Sequence, residues 1–109
     1  MSEIILNIYK QDNKQEIEKT YRTDSVDLLF GTVEDLLNVI DLDKINDDKE
    51  VAIMIVKGWN QLKPFLKDVF PGLTDEDIKR IKINDIIPVF TNIFTAIGEN
   101  IGLLVAGKN

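Results

Sequence analysis

The chain has 109 residues, with 13 Lys and Arg against 19 Asp and Glu, for a formal net charge of −6. That balance disfavours nonspecific attraction to nucleic acid or anionic lipid. The absence of cysteine and histidine removes disulfides, thiolate zinc sites, cysteine nucleophiles and the commonest general base.

A chain of this length without a composition break predicts one domain, able to hide roughly 65% of its unfolded surface in a single modest core. Cysteine-free composition suits a reducing cytoplasm. The first ten residues mix Glu3, Asn7 and Lys10 with aliphatics, which is not a secretory signal pattern, and the longest apolar run, residues 51–56, is far below the ~20 residues of a membrane span.

Ile4, Leu6 and Ile8 alternate with Ile5, Asn7 and Tyr9, and Ile17, Lys19 and Tyr21 alternate with Glu18, Thr20 and Arg22. Both runs predict strands, joined as a hairpin within residues 3–22 through the polar stretch 11–15. An isolated hairpin is marginal in water, so it must lie against helices or pair with another copy through an open edge. Thr23, Asp24 and Ser25 are competent N-caps, and Val26, Leu29, Phe30, Val33, Leu36, Leu37 and Ile40 follow helical spacing. The prediction is one helix over 25–41, or a shorter one broken at Gly31 and capped by Thr32.

The carboxylate-dense stretch 41–48 fails as a calcium loop. Counting from Asp41 puts Ile45 at a ligand position, Asn46 at the turn glycine and Ala52 where a bidentate Glu belongs. It reads as a solvated connection whose Asp47 or Asp48 caps the next helix.

The longest apolar stripe, and the stretch around which the fold is expected to organise, runs through Val51, Ile55, Trp59, Leu62, Leu66, Val69 and Phe70, with Trp59 as a core anchor. Residues 51–56 are apolar on every side and must be enclosed by the chain itself or by a partner. Pro64 predicts a kink or restart near 62–64, with Pro64 opening a following helix. After Pro71-Gly72, Thr74 and Asp77 form a capping box, with Leu73 and Ile78 placed as a hydrophobic staple, opening a helix over 75–81. Asp85 then caps the last helix with Pro88 at its third position. Its buried stripe is Ile86, Phe90, Ile93, Phe94, Ile97 and Ile101, and Gly98, Gly102 and Gly107 predict fraying near Asn100. The expected fold is mainly α with a small N-terminal hairpin and four to five helices: a domain over 1–101 and a flexible tail over 102–109.

The hairpin, the segment Val33-Glu34-Asp35-Leu36-Leu37-Asn38-Val39-Ile40, the acidic link, Phe70-Pro71-Gly72-Leu73-Thr74-Asp75-Glu76-Asp77-Ile78 and Asn84-Asp85-Ile86-Ile87-Pro88 together resemble the tail assembly chaperones of long-tailed bacteriophages that infect Gram-positive bacteria. The resemblance covers roughly residues 17–98. It implies a non-catalytic assembly factor in the host cytoplasm, absent from the finished virion, that binds the tape measure protein and helps recruit tail tube subunits. It also implies that some ribosomes slip backward near the end of the frame, making a longer form that engages the tube protein. Lys108-Asn109 is a pair that a slippery adenine run can encode, and it is equally ordinary at a solvated C-terminus.

A small acidic protein with spare apolar surface suits a long, apolar helical partner. The apolar residues left after each stripe turns inward are Leu28, Val39, Ile53, Met54, Val56, Phe65, Ile87 and Val89. They are the candidate partner surface, or a self-association face for a homo-oligomer, or part of the core. No cofactor or metal is expected. The alternative is an acidic inhibitor or antitoxin-like protein covering a basic partner. An enzyme built on Asp75 and Asp77, or Asp41 and Asp43, is not expected, because capping already explains both pairs.

Overall fold

The computed structural model describes residues 3–24, 26 and 28–100. It holds a two-stranded antiparallel hairpin, β1 (Ile4–Tyr9) and β2 (Ile17–Thr23), followed by α1 (Phe30–Leu37), a 3-10 turn (Leu42–Lys44), α2 (Asp48–Lys57), α3 (Trp59–Val69), α4 (Asp75–Ile78) and α5 (Ile83–Asn100). The chain is mainly α with a small hairpin, as the spacing predicts. Among the described residues no helix is long and apolar enough to cross a membrane.

Alternation settles how the hairpin lies. Ile4, Leu6 and Ile8 are buried, and they face α5, against which β1 packs. Register runs from Ile4 opposite Thr23 to Ile8 opposite Lys19, then shifts by a bulge so that Tyr9 faces Ile17. Lys10 N–H donates to the Glu16 carbonyl at 2.9 Å, closing the predicted loop over 11–15. Inside it, Gln15 N–H donates to the Asn13 side chain at 2.9 Å, an Asx turn of the kind that makes Asn a turn residue. β2 is the outer strand, and among the described residues no strand pairs with its second edge.

The first helix is shorter than expected. Val26 is already buried outside any helix, and Leu29, at φ −72° and ψ 150°, starts α1 without a side-chain cap. Neither the 25–41 helix nor the Thr32-capped one forms. At the other end the Leu36 carbonyl accepts from both Val39 and Ile40 N–H, turning the chain so that Ile40 is buried. Ser25, one of the expected caps, lies outside the described residues.

The expected break at Pro64 falls at Gly58 instead. Gly58 N–H closes α2 by donating to Met54 at 2.8 Å, and α3 starts at the next residue. A Cβ at Gly58 would lie 3.1 Å from the Met54 carbonyl oxygen and 3.2 Å from Val39 Cβ, so the glycine permits the close approach of the segment after α1. Pro64 sits within α3 and Pro88 within α5. Each lacks the N–H that would reach the carbonyl four residues back, on Asn60 and Asn84 respectively. Both prolines and both asparagines are exposed, so water can take those carbonyls. Helix α5 accordingly begins at Ile83, before Asp85, rather than after it.

Thr74 caps α4 as expected. Its hydroxyl accepts from Asp77 N–H at 3.1 Å, while Asp77 accepts from Thr74 N–H at 3.3 Å, the reciprocal pair of a capping box. The helix stops at Ile78, short of the predicted 81, as i to i+3 bonds tighten its end. Ahead of it Gly72 takes φ 94°, a conformation that costs an L side chain about 1–2 kcal/mol. No atom lies closer than 4.0 Å to a Cβ built there. Gly72→Ala should therefore lower stability by that backbone cost alone, and thermal unfolding should show a drop of several degrees.

Helix α5 is the centre of the core. Phe90, Ile93, Phe94 and Ile97 are buried along it, against β1 on one side and α2 on another, with Leu62, Leu66 and Phe70 completing the interior. The stripe over 51–70 thus supplies one wall rather than the axis of the fold. Ile101, the end of the predicted α5 stripe, and the tail 102–109 lie outside the described residues.

Candidate functional site: an apolar groove

The all-apolar segment of α2 is enclosed on one side only. Val51, Met54 and Ile55 turn into the core, whereas Ile53 is exposed and Val56 is 78% exposed. A helix period allows nothing else, because consecutive apolar residues point around the whole circumference and one neighbouring layer covers about half of it.

Val56 stands at the rim of a groove of about 430 Å³ lined by Ala52, Ile55, Val56, Trp59, Ile78, Ile81, Ile83, Ile86 and Ile87, every one apolar. Helix α2 and the start of α3 form one wall, α4 and the first turns of α5 the other. Ile83, at the opening residue of α5, is 76% exposed. Trp59 is half-buried and packs against the core: its ring meets the buried Phe90 edge-on, centroids 6.5 Å apart at 77°, while it also lines the groove. Phe90 lies deeper, with no exposed surface.

The predicted partner residues separate into groups. Val56 and Ile87 line the groove. Ile53 is exposed on α2 outside it. Leu28 and Val39 are half-buried against the core near α1, and Val39 borders a mixed polar cleft together with Phe65. Met54, Phe65 and Val89 are buried in the core, the third of the roles that the sequence leaves open for these residues. Sequence reasoning missed Ile78, Ile81 and Ile83. One signal was available, since Ile81 and Ile83 flank Lys82 in a short connection with little core of its own to fill. A second exposed apolar patch is Leu29 and Phe30 at the start of α1, which share the helical spacing of the buried Leu36 yet are open to solvent.

A buried carboxylate holds the α4 wall in place. Asp77, 1% exposed, accepts from the Tyr21 hydroxyl at 2.6 Å, and its other oxygen lies 3.1 Å from Lys19 Nζ and 3.6 Å from the Arg80 guanidinium. Arg80 also pairs with Glu18. Burial pushes the Asp77 pKa up, but the Tyr21 hydroxyl, Lys19 and Thr74 N–H together outweigh it and hold the carboxyl below its ordinary value. Hairpin and α4 are thereby fastened together across a separation of more than fifty residues. Among the described residues no cluster of His, Cys, Asp or Glu has the grouping of a metal site.

Comparison with protein-family models, with curated proteins and with solved structures gives no match. The groove therefore rests on its own geometry: a concave surface lined by apolar side chains that can take the apolar face of a helix.

Proposed function

We propose that this protein is a non-catalytic binding module that receives the apolar face of a partner helix in the groove between α2 and α5. The partner class is the tape measure protein of a long-tailed phage. The protein then acts as a tail assembly chaperone in the host cytoplasm, keeping that partner soluble and, through a longer frameshifted form, bringing tail tube subunits to it. The observation that carries this reading is a groove lined by nine apolar side chains whose rim residues, Val56 and Ile83, stand open to solvent. The sequence resemblance supplies the partner, and the net charge of −6 would keep an apolar complex dispersed.

Trp59 is the single tryptophan and lines the groove, so its emission reports occupancy. Titration with a helical fragment of a tape measure protein should shift that emission to the blue and saturate. Val56→Asp and Ile83→Asp, both at exposed positions, should leave the melting temperature within a few degrees while weakening binding at least about tenfold, the cost of a charge against an apolar face. An unshifted Trp59 at fragment concentrations on the order of 100 μM, or unchanged affinity in both variants, would refute the groove as the binding site.

A further inference from the structure

The groove shares a wall with a second cleft. Ile81 and Ile83 border both the apolar groove and a cleft of about 600 Å³ between the hairpin loop and the connection from α4 to α5. Five of the 13 Lys and Arg residues, Lys10, Lys14, Lys79, Arg80 and Lys82, line that cleft against one carboxylate, Glu76. In a chain of net charge −6 this is a local reversal of sign.

Two of the five are already engaged. Lys10 pairs with Glu16 at 3.0 Å, and Arg80 pairs with Glu18 and Asp77. Lys82 lies 4.3 Å above the Tyr9 ring, which positions the ammonium without neutralising it. Lys14 and Lys79 are exposed, and among the described residues neither they nor Lys82 has a carboxylate within salt-bridge distance.

We propose that this cleft is the polar end of the groove's binding site, and that it selects a helix carrying acidic side chains beside one end of its apolar stripe. The inference rests on the reading that the groove takes a helix, and adds a rule for which helix. Continuity through Ile81 and Ile83 means that a helix filling the groove runs on toward Lys14, Lys79 and Lys82. Side chains one turn beyond its last apolar contact are about 5.4 Å further on, within the ~8 Å over which charges act at physiological salt. Charge complementarity at such a rim sets register and partner choice. A nucleic acid suits the place less well, because it has no apolar stripe for the adjoining wall, and because Glu16 and Glu18 pair with the cations around the cleft.

The test uses the full chain and synthetic helices that share one apolar stripe and differ in a terminal pair, Glu-Glu, Gln-Gln or Lys-Lys, placed at either end. Binding is followed by Trp59 emission. At low salt the best Glu helix should bind about tenfold more tightly than its Lys counterpart, with the gap closing at high salt, and the end that prefers Glu sets the direction of the bound helix. Lys14→Glu combined with Lys79→Glu should reverse that order, with far-ultraviolet dichroism confirming the fold. Equal affinity for all the helices overturns charge selection while the groove reading stands. Failure of even the Gln helix to bind overturns both. A short oligothymidine that binds the parent more tightly than the Glu helix, and loses that binding in the double variant, assigns the cleft to nucleic acid and overturns the inference.

Discussion

Replacing Asp77 with Ala should lower the unfolding free energy by about 3 kcal/mol, a large share of the roughly 5–15 kcal/mol a domain possesses. The side chain is buried with the Tyr21 hydroxyl, the Lys19 ammonium and Thr74 N–H directed at it. Alanine leaves Thr74 N–H without its acceptor and the Tyr21 hydroxyl with only the Gly72 carbonyl, 3.2 Å away. Lys19, half exposed, can turn to water, so its contribution is the smaller part. The pH dependence separates charge from shape. Asp77 has a folded pKa below its unfolded value of about 3.9, so its stabilisation is present above that value and is lost as pH falls through about 4 toward the folded pKa. Asp77→Asn should keep much of the shape yet unfold with a flatter acid limb, read by denaturant titrations between about pH 2 and 7. A variant with the parent's acid slope would mean that Asp77 carries no linked proton. Tyr21 and Lys19 are held protonated by the same carboxylate, and their contribution runs the other way. It is present below about pH 10 and lost as pH rises through their raised values.

Phe90→Ala should cost about 3–5 kcal/mol and bring the domain to the edge of unfolding. Phe90 is fully buried on α5, edge-on to Trp59 and tilted against Phe94 with centroids 5.5 Å apart, so truncation opens a cavity at the centre of the core and removes the support beneath the groove. Phe90→Leu, which keeps most of the volume, should cost about half as much. Chemical denaturation followed by Trp59 emission and by far-ultraviolet dichroism should give coincident transitions in the parent. A Phe90→Ala variant melting within a few degrees of the parent would show that α5 is not the axis of the core. Trp59→Ala should be the milder change for stability, because that ring is only half-buried, and the more severe one for binding.

Local patterns in the sequence determine a large part of this protein. Ile4, Leu6 and Ile8 turn inward because a strand alternates sides, and Thr74 and Asp77 cap each other because the motif spans only four residues. The same holds for the stripe Phe90, Ile93, Phe94 and Ile97, and for the chemistry excluded by the absence of histidine and cysteine. Where an apolar residue lies beside a stripe rather than on it, periodicity is silent. Met54 and Val56 are two positions apart on α2, and which of them is buried depends on where α5 and the chain after α1 lie. The start of α1 was illegible for the same reason, since Val26 is buried outside the helix, which begins only after Leu29. Gly58 ends α2 through the close approach of Val39, a contact between residues far apart in the chain. The groove was the least legible feature of all, because it is assembled from residues 52–59 and 78–87 on four helices, and α4 takes its place only where Asp77 fastens it to the hairpin. Short-range periodicity and capping act within a turn or two of chain and can be read from it; concavity arises only where separate elements meet, and that is a property of the packing alone.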